Sequence, residues 1–378
     1  MALIRTDATQ LVTFTPQMTD PRWLGQIGHV TDLTYSWVLP GGCDQLSATL
    51  AIEPTVRTEA MNPGRIVQAF RGGALIWEGI MTEPVPGTAG WALSAVGAGN
   101  YGTNYVAVYT DTWPSNQPDE SINNAISRGM RWQNPGQDSV LGLYLPETDP
   151  GSASQTITDL LNLVTTYGGL TWLVRTTTYG NQLSLFPLPS VPTHLLVVTT
   201  PQARTLGGDV NTIFEKYTVT ADNATTGAAE VDGITSSSNA ASIAAYGALE
   251  SYIDLTQAGV MSQATAQGFG NSVLGRFLHA SWAGPITVGP YSLLTLGGQP
   301  VDIAAVPPQP MVVQLILCDF GYGGEVTLSQ PVWFLVGSYA YDDTAQTAQI
   351  ASFNYLGLSM SSLLSAASTT LPTATSSS

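Results

Sequence analysis

The sequence predicts a mainly β chain with minor α content, in which two β-rich regions flank a small α+β module. Three observations lead there. Short β-branched and aromatic runs alternate with Gly/Pro turn clusters as far as about residue 107. A helical repeat followed by two strand-like runs occupies the middle. Strand-like runs then resume beyond Pro201.

In the first region the runs are 33–39, 46–52, 65–70, 74–81 and 91–96, separated by Pro40-Gly41-Gly42, Asn62-Pro63-Gly64, Gly72-Gly73 and Pro86-Gly87. Spacing of this kind marks a small barrel or sandwich. Arg71-Gly72-Gly73-Ala74 reads as a tight hairpin, glycine supplying the positive φ that such turns require.

The middle region opens with a short helix expected over 122–127, with Asp119 or Ser121 as its cap. A clearer helix follows over 154–166. Thr156 with Asp159 three residues on resembles a capping box, and Ile157, Leu160, Leu161 and Val164 share one face. This apolar stripe reads as core rather than as a cofactor site. Gly168-Gly169 is expected to end the helix. Runs 170–175 and 182–186 then form a hairpin about Tyr179-Gly180-Asn181.

The last region carries strand-like runs at 216–220, 230–234, 311–318, 333–339 and 349–355. Between them a small-residue helix is expected over 262–277, with Ser262 as N-cap, although Gly268, Gly270 and Gly275 weaken its propensity. The chain ends in SAASTTLPTATSSS, a Ser/Thr-rich tail.

Composition narrows the function. Charged residues make up only 10% of 378, while hydrophobic residues reach 44%, against about 25% charged in an average soluble domain. A surface so poor in charge is best explained by subunits that cover it; surfaces rich in Thr, Ser, Asn and Gln are the competing explanation. There are 27 acids and 11 bases, for a formal net charge of −16, and Lys216 is the only lysine. No basic stripe exists to neutralise phosphates, which argues against sequence-specific DNA or RNA binding. An acidic wall would instead suit a conduit through which DNA slides without sticking.

Cys43 and Cys318 lie far apart, and their spacing does not settle whether they pair. The N-terminal stretch MALIRTDATQLVTFTP lacks the basic and apolar regions of a signal peptide. No apolar run is long enough for a membrane anchor, so the expected site of synthesis is the cytoplasm. Scarce lysine beside abundant Ala, Gly, Thr and Val points to a GC-rich coding genome.

Catalytic chemistry is sparse. His29, His194 and His279 are scattered singly, without the spacing of a zinc site. Gly97-Ala98-Gly99 lacks the third glycine and layout of a dinucleotide site, and reads as the end of a hairpin. Glu78, between Trp77 and Gly79, and Asp254, beside Tyr252, both sit near aromatic residues that could stack on sugar, so a two-carboxylate glycan hydrolase is a rival reading. Asp342-Asp343 is a weak candidate for Ca²⁺. The reading is therefore non-enzymatic, with no cofactor and no catalytic, cofactor-binding or metal residues assigned.

Three stretches together resemble the tail hub proteins of long-tailed bacteriophages, also called minor tail or tail-associated proteins. The first comprises YSWVLPGGCDQLSATL, PGRIVQAFRGGALIWEGIM and WALSAVGAGNY, with Trp77 and Gly79 filling a W-x-G element. The second is TITDLLNLVTTYGGLTWLVRTTTYGNQLSLFPLP, and the third ALESYIDLTQAGVMSQATAQGFGNSVLGRF.

The resemblance implies two tube-like β-barrel domains enclosing the α+β module: a hub barrel over 1–108, the module over 109–200, a second barrel region with an Ala-rich helix over 201–364, and the tail 365–378. It implies a homotrimer at the distal tip of the virion's tail, adapting a six-fold tube to a three-fold tip. Its partners would be the distal tail ring, the tape measure and tail tip or fibre proteins, with the genome passing through the lumen. A host of actinobacterial type fits the composition. The alternatives are a carbohydrate- or receptor-binding tip module, suggested by 9 Trp and 15 Tyr, and a hexameric distal tail ring.

Overall fold

A computed structural model describes residues 9–15, 22–51, 58–88, 90–108, 118–134, 155–168, 170–177, 180–189, 191–198, 204–205, 211–223, 227–256, 260–277, 281–282, 285–319, 324–326 and 333–353. His279, Gly169, Tyr179 and the tail 365–378 lie outside the described residues. The N-terminal strands are β1 (Gln10–Phe14), β2 (Trp23–Ile27), β3 (Val30–Val38), β4 (Gly41–Leu50), β5 (Ile66–Arg71), β6 (Ala74–Met81), β7 (Val85–Gly87) and β8 (Gly90–Gly97). A 3-10 helix, Ala98–Asn104, leads to α1 (Pro118–Ser127), α2 (Ile157–Gly168), β9 (Leu170–Thr177) and β10 (Gly180–Pro187). Next come β11 (His194–Val198), β12 (Arg204–Thr205), β13 (Thr212–Asn223), β14 (Gly227–Ser238), α3 (Ala240–Tyr246), β15 (Glu250–Asp254), α4 (Gln263–Phe277) and β16 (Ser281–Trp282). The last strands are β17 (Ile286–Val288), β18 (Leu293–Thr295), β19 (Val312–Asp319), β20 (Gly324–Val326), β21 (Trp333–Asp342) and β22 (Thr347–Ser352). The chain is mainly β with minor α, as its sequence pattern requires.

The two β-rich ends of the chain meet. A ladder runs β2-β1-β5-β6-β8-β4-β3-β21-β22-β17, with β3 and β21 antiparallel at the join. One apolar core therefore draws on residues from Leu11 to Ile350. At the join, Trp37 stacks on Tyr339 with centroids 5.6 Å apart and planes 5° from parallel, and Tyr35 meets Tyr341 at 5.4 Å. The Tyr35 and Tyr339 hydroxyls donate to the carbonyls of Ala304 and Ile303, so neither is buried without a partner.

Glycines permit the close approaches. Gly72 and Gly73 turn the β5–β6 hairpin with φ of 56° and 81°, as the sequence predicts. Gly41 and Gly42, expected as a turn with Pro40, instead belong to β4. A Cβ on Gly42 would lie 2.6 Å from the carbonyl oxygen of Val174, because β4 runs parallel to β9 there. Gly97 and Gly99 do not close a hairpin: β8 passes into the 3-10 helix, and a Cβ on Gly97 would sit 2.2 Å from the Cys43 carbonyl. The W-x-G element has a similar cause, since a Cβ on Gly79 would meet the Trp77 ring at 2.3 Å.

The middle region packs as its own core around Trp132, Trp172, Ile157, Leu160 and Leu161. The capping box is present in both directions: the Thr156 amide donates to Asp159 Oδ2 (3.1 Å) and the Asp159 amide to Thr156 Oγ1 (3.2 Å). Helix α1 begins earlier than expected, with Pro118 at its first position, where proline costs no hydrogen bond. Asp119 and Ser121 thus lie inside the helix. Asp119 accepts from the Asn134 amide (2.9 Å), and Ser121 donates to the Val108 carbonyl (2.9 Å).

The stretch 201–364 divides in space. Strands β17 to β22 join the N-terminal strands, whereas β13, β14 and β15 form a separate three-stranded sheet in the order β14-β13-β15. Helix α4, capped by Ser262 accepting from the Thr265 amide (3.1 Å), covers one face of that sheet. Ala266, Phe269 and Val273 meet Ile213, Tyr217 and Ile253 there. Helices α2 and α4 also pack together, tying this unit to the middle region.

Candidate interaction face

The structure does not assemble the two-acid pair. Glu78, 2% exposed, projects from β6 on the side opposite Trp77. Its carboxylate accepts from Gln68 (2.7 Å) and Asn181 (2.5 Å) and faces Arg131 at 3.7 Å. Asn181 in turn accepts from the Thr176 hydroxyl (3.1 Å), which leaves the Thr176 oxygen to accept from the Cys43 thiol at 3.3 Å. Cys43 is a free thiol, and burial pushes it up to about 12. This cluster fastens the middle hairpin to the N-terminal strands and presents no oxygen to a substrate.

Asp254 belongs to the other sheet and is exposed. The Thr256 hydroxyl (2.6 Å) and amide (3.0 Å) hold its carboxyl below the usual carboxylate range. Glu78 and Asp254 thus occupy different sheets and different polar clusters. Asp342 accepts from the Thr344 and Ala345 amides, both at 2.9 Å, and shapes the β21–β22 turn. Asp343 faces Arg71 at 3.8 Å. His194 starts β11 beside the Thr193 hydroxyl (2.9 Å), and burial lowers its pKa. His29 is exposed at a φ of 56°. The side chain of Cys318 lies outside the described residues.

The feature missed from sequence is the open face of the three-stranded sheet. Alternation sends Ile213, Glu215 and Tyr217 under α4, and Phe214, Lys216 and Thr218 to the other side. Pairing sets Tyr252 beside Phe214, Asp254 beside Lys216, Ile234 across from Lys216 and Asp232 across from Thr218. Val260 bridges to Thr218 at one edge. Four large apolar side chains are consequently exposed: Ile234 at 68%, Tyr252 at 52%, Val260 at 49% and Phe214 at 37%. Lys216 Nζ lies 2.8 Å from Asp232, and that contact raises its pKa. The sequence signal was the period-two alternation in β13, but it does not say which face a helix covers.

Beneath α4 sits a different kind of polar group. Glu215 is fully buried, and among the described residues neither carboxylate oxygen has a hydrogen-bond partner. Ser237, the hydroxyl beside it, donates instead to the Gln267 carbonyl (3.1 Å). Burial raises the Glu215 carboxyl above its ordinary range. The helix makes room with Gly270, where a Cβ would fall 1.5 Å from a Glu215 oxygen. That is the structural reason for a glycine inside α4.

No protein-family model and no curated protein sequence matches this chain. Solved structures do match it, end to end. Prophage tail protein gp18 from Listeria monocytogenes EGD-e has a TM-score of 0.53 at 9% identity, covering 96% of this chain and 99% of that one. The 43 kDa tail protein of prophage MuSo2 from Shewanella oneidensis scores 0.52 at 11% identity, with 91% and 97% covered. The tail protein from Neisseria meningitidis MC58 scores 0.53 at 10% identity, with 91% and 95% covered. At such identities the likeness is one of fold.

Proposed function

We propose that this chain is a structural protein of a bacteriophage tail, and that it acts as the hub at the distal end of the tail tube. The observation that carries the reading is the end-to-end likeness of fold to three prophage tail proteins, each covered to 95% or more of its length. A shared module alone would match only part of each chain. The hub is a homotrimer in which two β-rich halves per chain provide six similar positions, adapting a six-fold tube to a three-fold tip. Joining those halves through one core suits this role, because each chain then enters the ring as a rigid unit.

Charge supports the same reading. A net charge of −16 disfavours adhesion to DNA and suits the wall of a channel that the genome traverses. The partners are the distal tail ring above, the tape measure within, and tip or fibre proteins below. The low charge content fits a surface largely covered by such neighbours.

Light scattering on the purified protein, over a range of concentrations, tests the oligomer. A mass near three times 39.8 kDa is expected. A hexamer would replace the hub with a distal ring. Mass spectrometry of purified particles tests the wider reading, and absence of this chain from virions would remove the tail assignment altogether.

A further inference from the structure

We propose that the open face of the β13–β15 sheet seats a basic protein partner that is not another copy of this chain. Among the described residues the sheet is covered by a helix on one side, and on the other only Thr212 and Thr218 are buried. Its other side has an apolar centre of Phe214, Tyr252 and Ile234, widened by the methylene stem of Lys216, which spans between them. Around that centre stand four exposed carboxylates, Glu230, Asp232, Glu250 and Asp254, against the single amine of Lys216. An aromatic centre inside a polar rim is the anatomy of a protein-binding patch. The sign of the rim selects the partner.

A second copy does not fit that sign. The chain has 27 acids and 11 bases, and its only lysine already lies on this face, paired with Asp232 at 2.8 Å. Residues 354–378, the chain's own C-terminal stretch, contain no charged residue and cannot complement the rim. Phosphate-bearing polymers are repelled by it. A partner with lysine or arginine flanking an apolar anchor satisfies both centre and rim. This inference rests on the tail reading, since the partner is sought in the particle.

The scarcity of lysine makes the test specific. Carbodiimide joins carboxylates to amines, so in purified particles, apart from links to Lys216, among them the internal one to Asp232 at 2.8 Å, every link from this chain's acids to a lysine must reach another protein. The expected products join Asp232, Asp254, Glu230 or Glu250 to lysines of a different protein. Acylation of Lys216 should also be about tenfold slower in the particle than on the free chain, as for a group at the covered centre of an interface. Incorporation into particles should fall about thirtyfold for Tyr252→Asp and about tenfold for Glu250→Lys, both at exposed positions, in variants whose free chains unfold at the same denaturant midpoint as the wild type.

Links only to Lys216 of a second copy, or a Lys216 as reactive in the particle as on the free chain, would overturn the proposal while leaving the tail reading standing. Retention of the free chain on cell-wall polysaccharide, lost in Tyr252→Ser and accompanied by no protein link, would reassign the face to sugar. A chain absent from particles would remove both readings together.

Discussion

The join between the chain's two ends and the outer three-stranded unit are both built from strands, yet they use them in opposite ways. At the join, β3 and β21 turn their aromatic side chains to the covered face, where Tyr35, Trp37, Tyr339 and Tyr341 are buried, while Thr34, Ser36 and Ala340 lie on the opposite, more exposed face. Trp37 and Tyr339 stack without exposure, and the deep hydroxyls are satisfied by carbonyls. Arg71 closes one end by bonding Asp302 at 2.9 Å. In the outer unit Phe214, Tyr252 and Ile234 stand on the exposed face, and the buried Glu215 has no hydrogen-bond partner among the described residues. The first region spends its aromatic residues on cohesion, whereas the second exposes them and tolerates an unfavourable buried acid. If the open face seats a partner as proposed, stability and recognition fall in different parts of one chain.

The comparison breaks most readily at the join. Trp37→Ala should cost about 3–5 kcal/mol, read as a lower denaturant midpoint for the whole chain, since one core serves both ends. If this variant unfolded only the N-terminal strands, the shared core would be refuted. Gly97→Ala should cost about 1–3 kcal/mol, because its Cβ meets the Cys43 backbone, which cannot swing aside as a flexible side chain would.

The outer unit should respond with the opposite sign. Glu215→Gln is expected to stabilise it at neutral pH, because it replaces a buried carboxylate with a neutral group of the same shape. The folded carboxyl is raised relative to the unfolded chain, so its favourable contribution is complete below the unfolded carboxyl range. That contribution is lost as pH rises through the folded value. Amide exchange in β13–β15 should therefore differ between wild type and variant at pH 8 and converge toward pH 4. A difference that grew on acidification would refute the assignment. A smaller effect, about 1 kcal/mol, is expected for Thr156→Ala at the capping box of α2. Tyr252→Ser should change the stability of the isolated chain by no more than about 0.5 kcal/mol, so that a loss in assembly would report the face and not the fold.

How much of this was legible from sequence depended on distance along the chain. The Thr156/Asp159 box, the Gly72-Gly73 turn and the Ser262 cap are local: donor and acceptor, or the turn itself, fall within a few residues. The start of α1 was misplaced because Pro118, not an acid, opens it. Gly97-Ala98-Gly99 was misread, and the β3–β4 turn at Leu39-Pro40 was placed about a residue late, because glycine serves both turns and close backbone approach. Only the position of Cys43 against Gly97, or of Val174 against Gly42, distinguishes the two. The polar cluster about Glu78 joins residues as far apart as Gln68 and Asn181, a distance at which no spacing rule operates.

By itself the sequence determined the alternation of strands and turns, the helix stripe and its cap, and a composition poor in charge and acidic in balance. These follow from local backbone preference and from composition, both additive along the chain. Tertiary structure alone decided that β3 meets β21, that Glu78 and Asp254 stay apart, and that α4 takes the Glu215 face and leaves Phe214, Ile234 and Tyr252 open. Those outcomes depend on which distant surfaces exclude water from each other, and an alternating strand carries the same period whichever of its faces is covered.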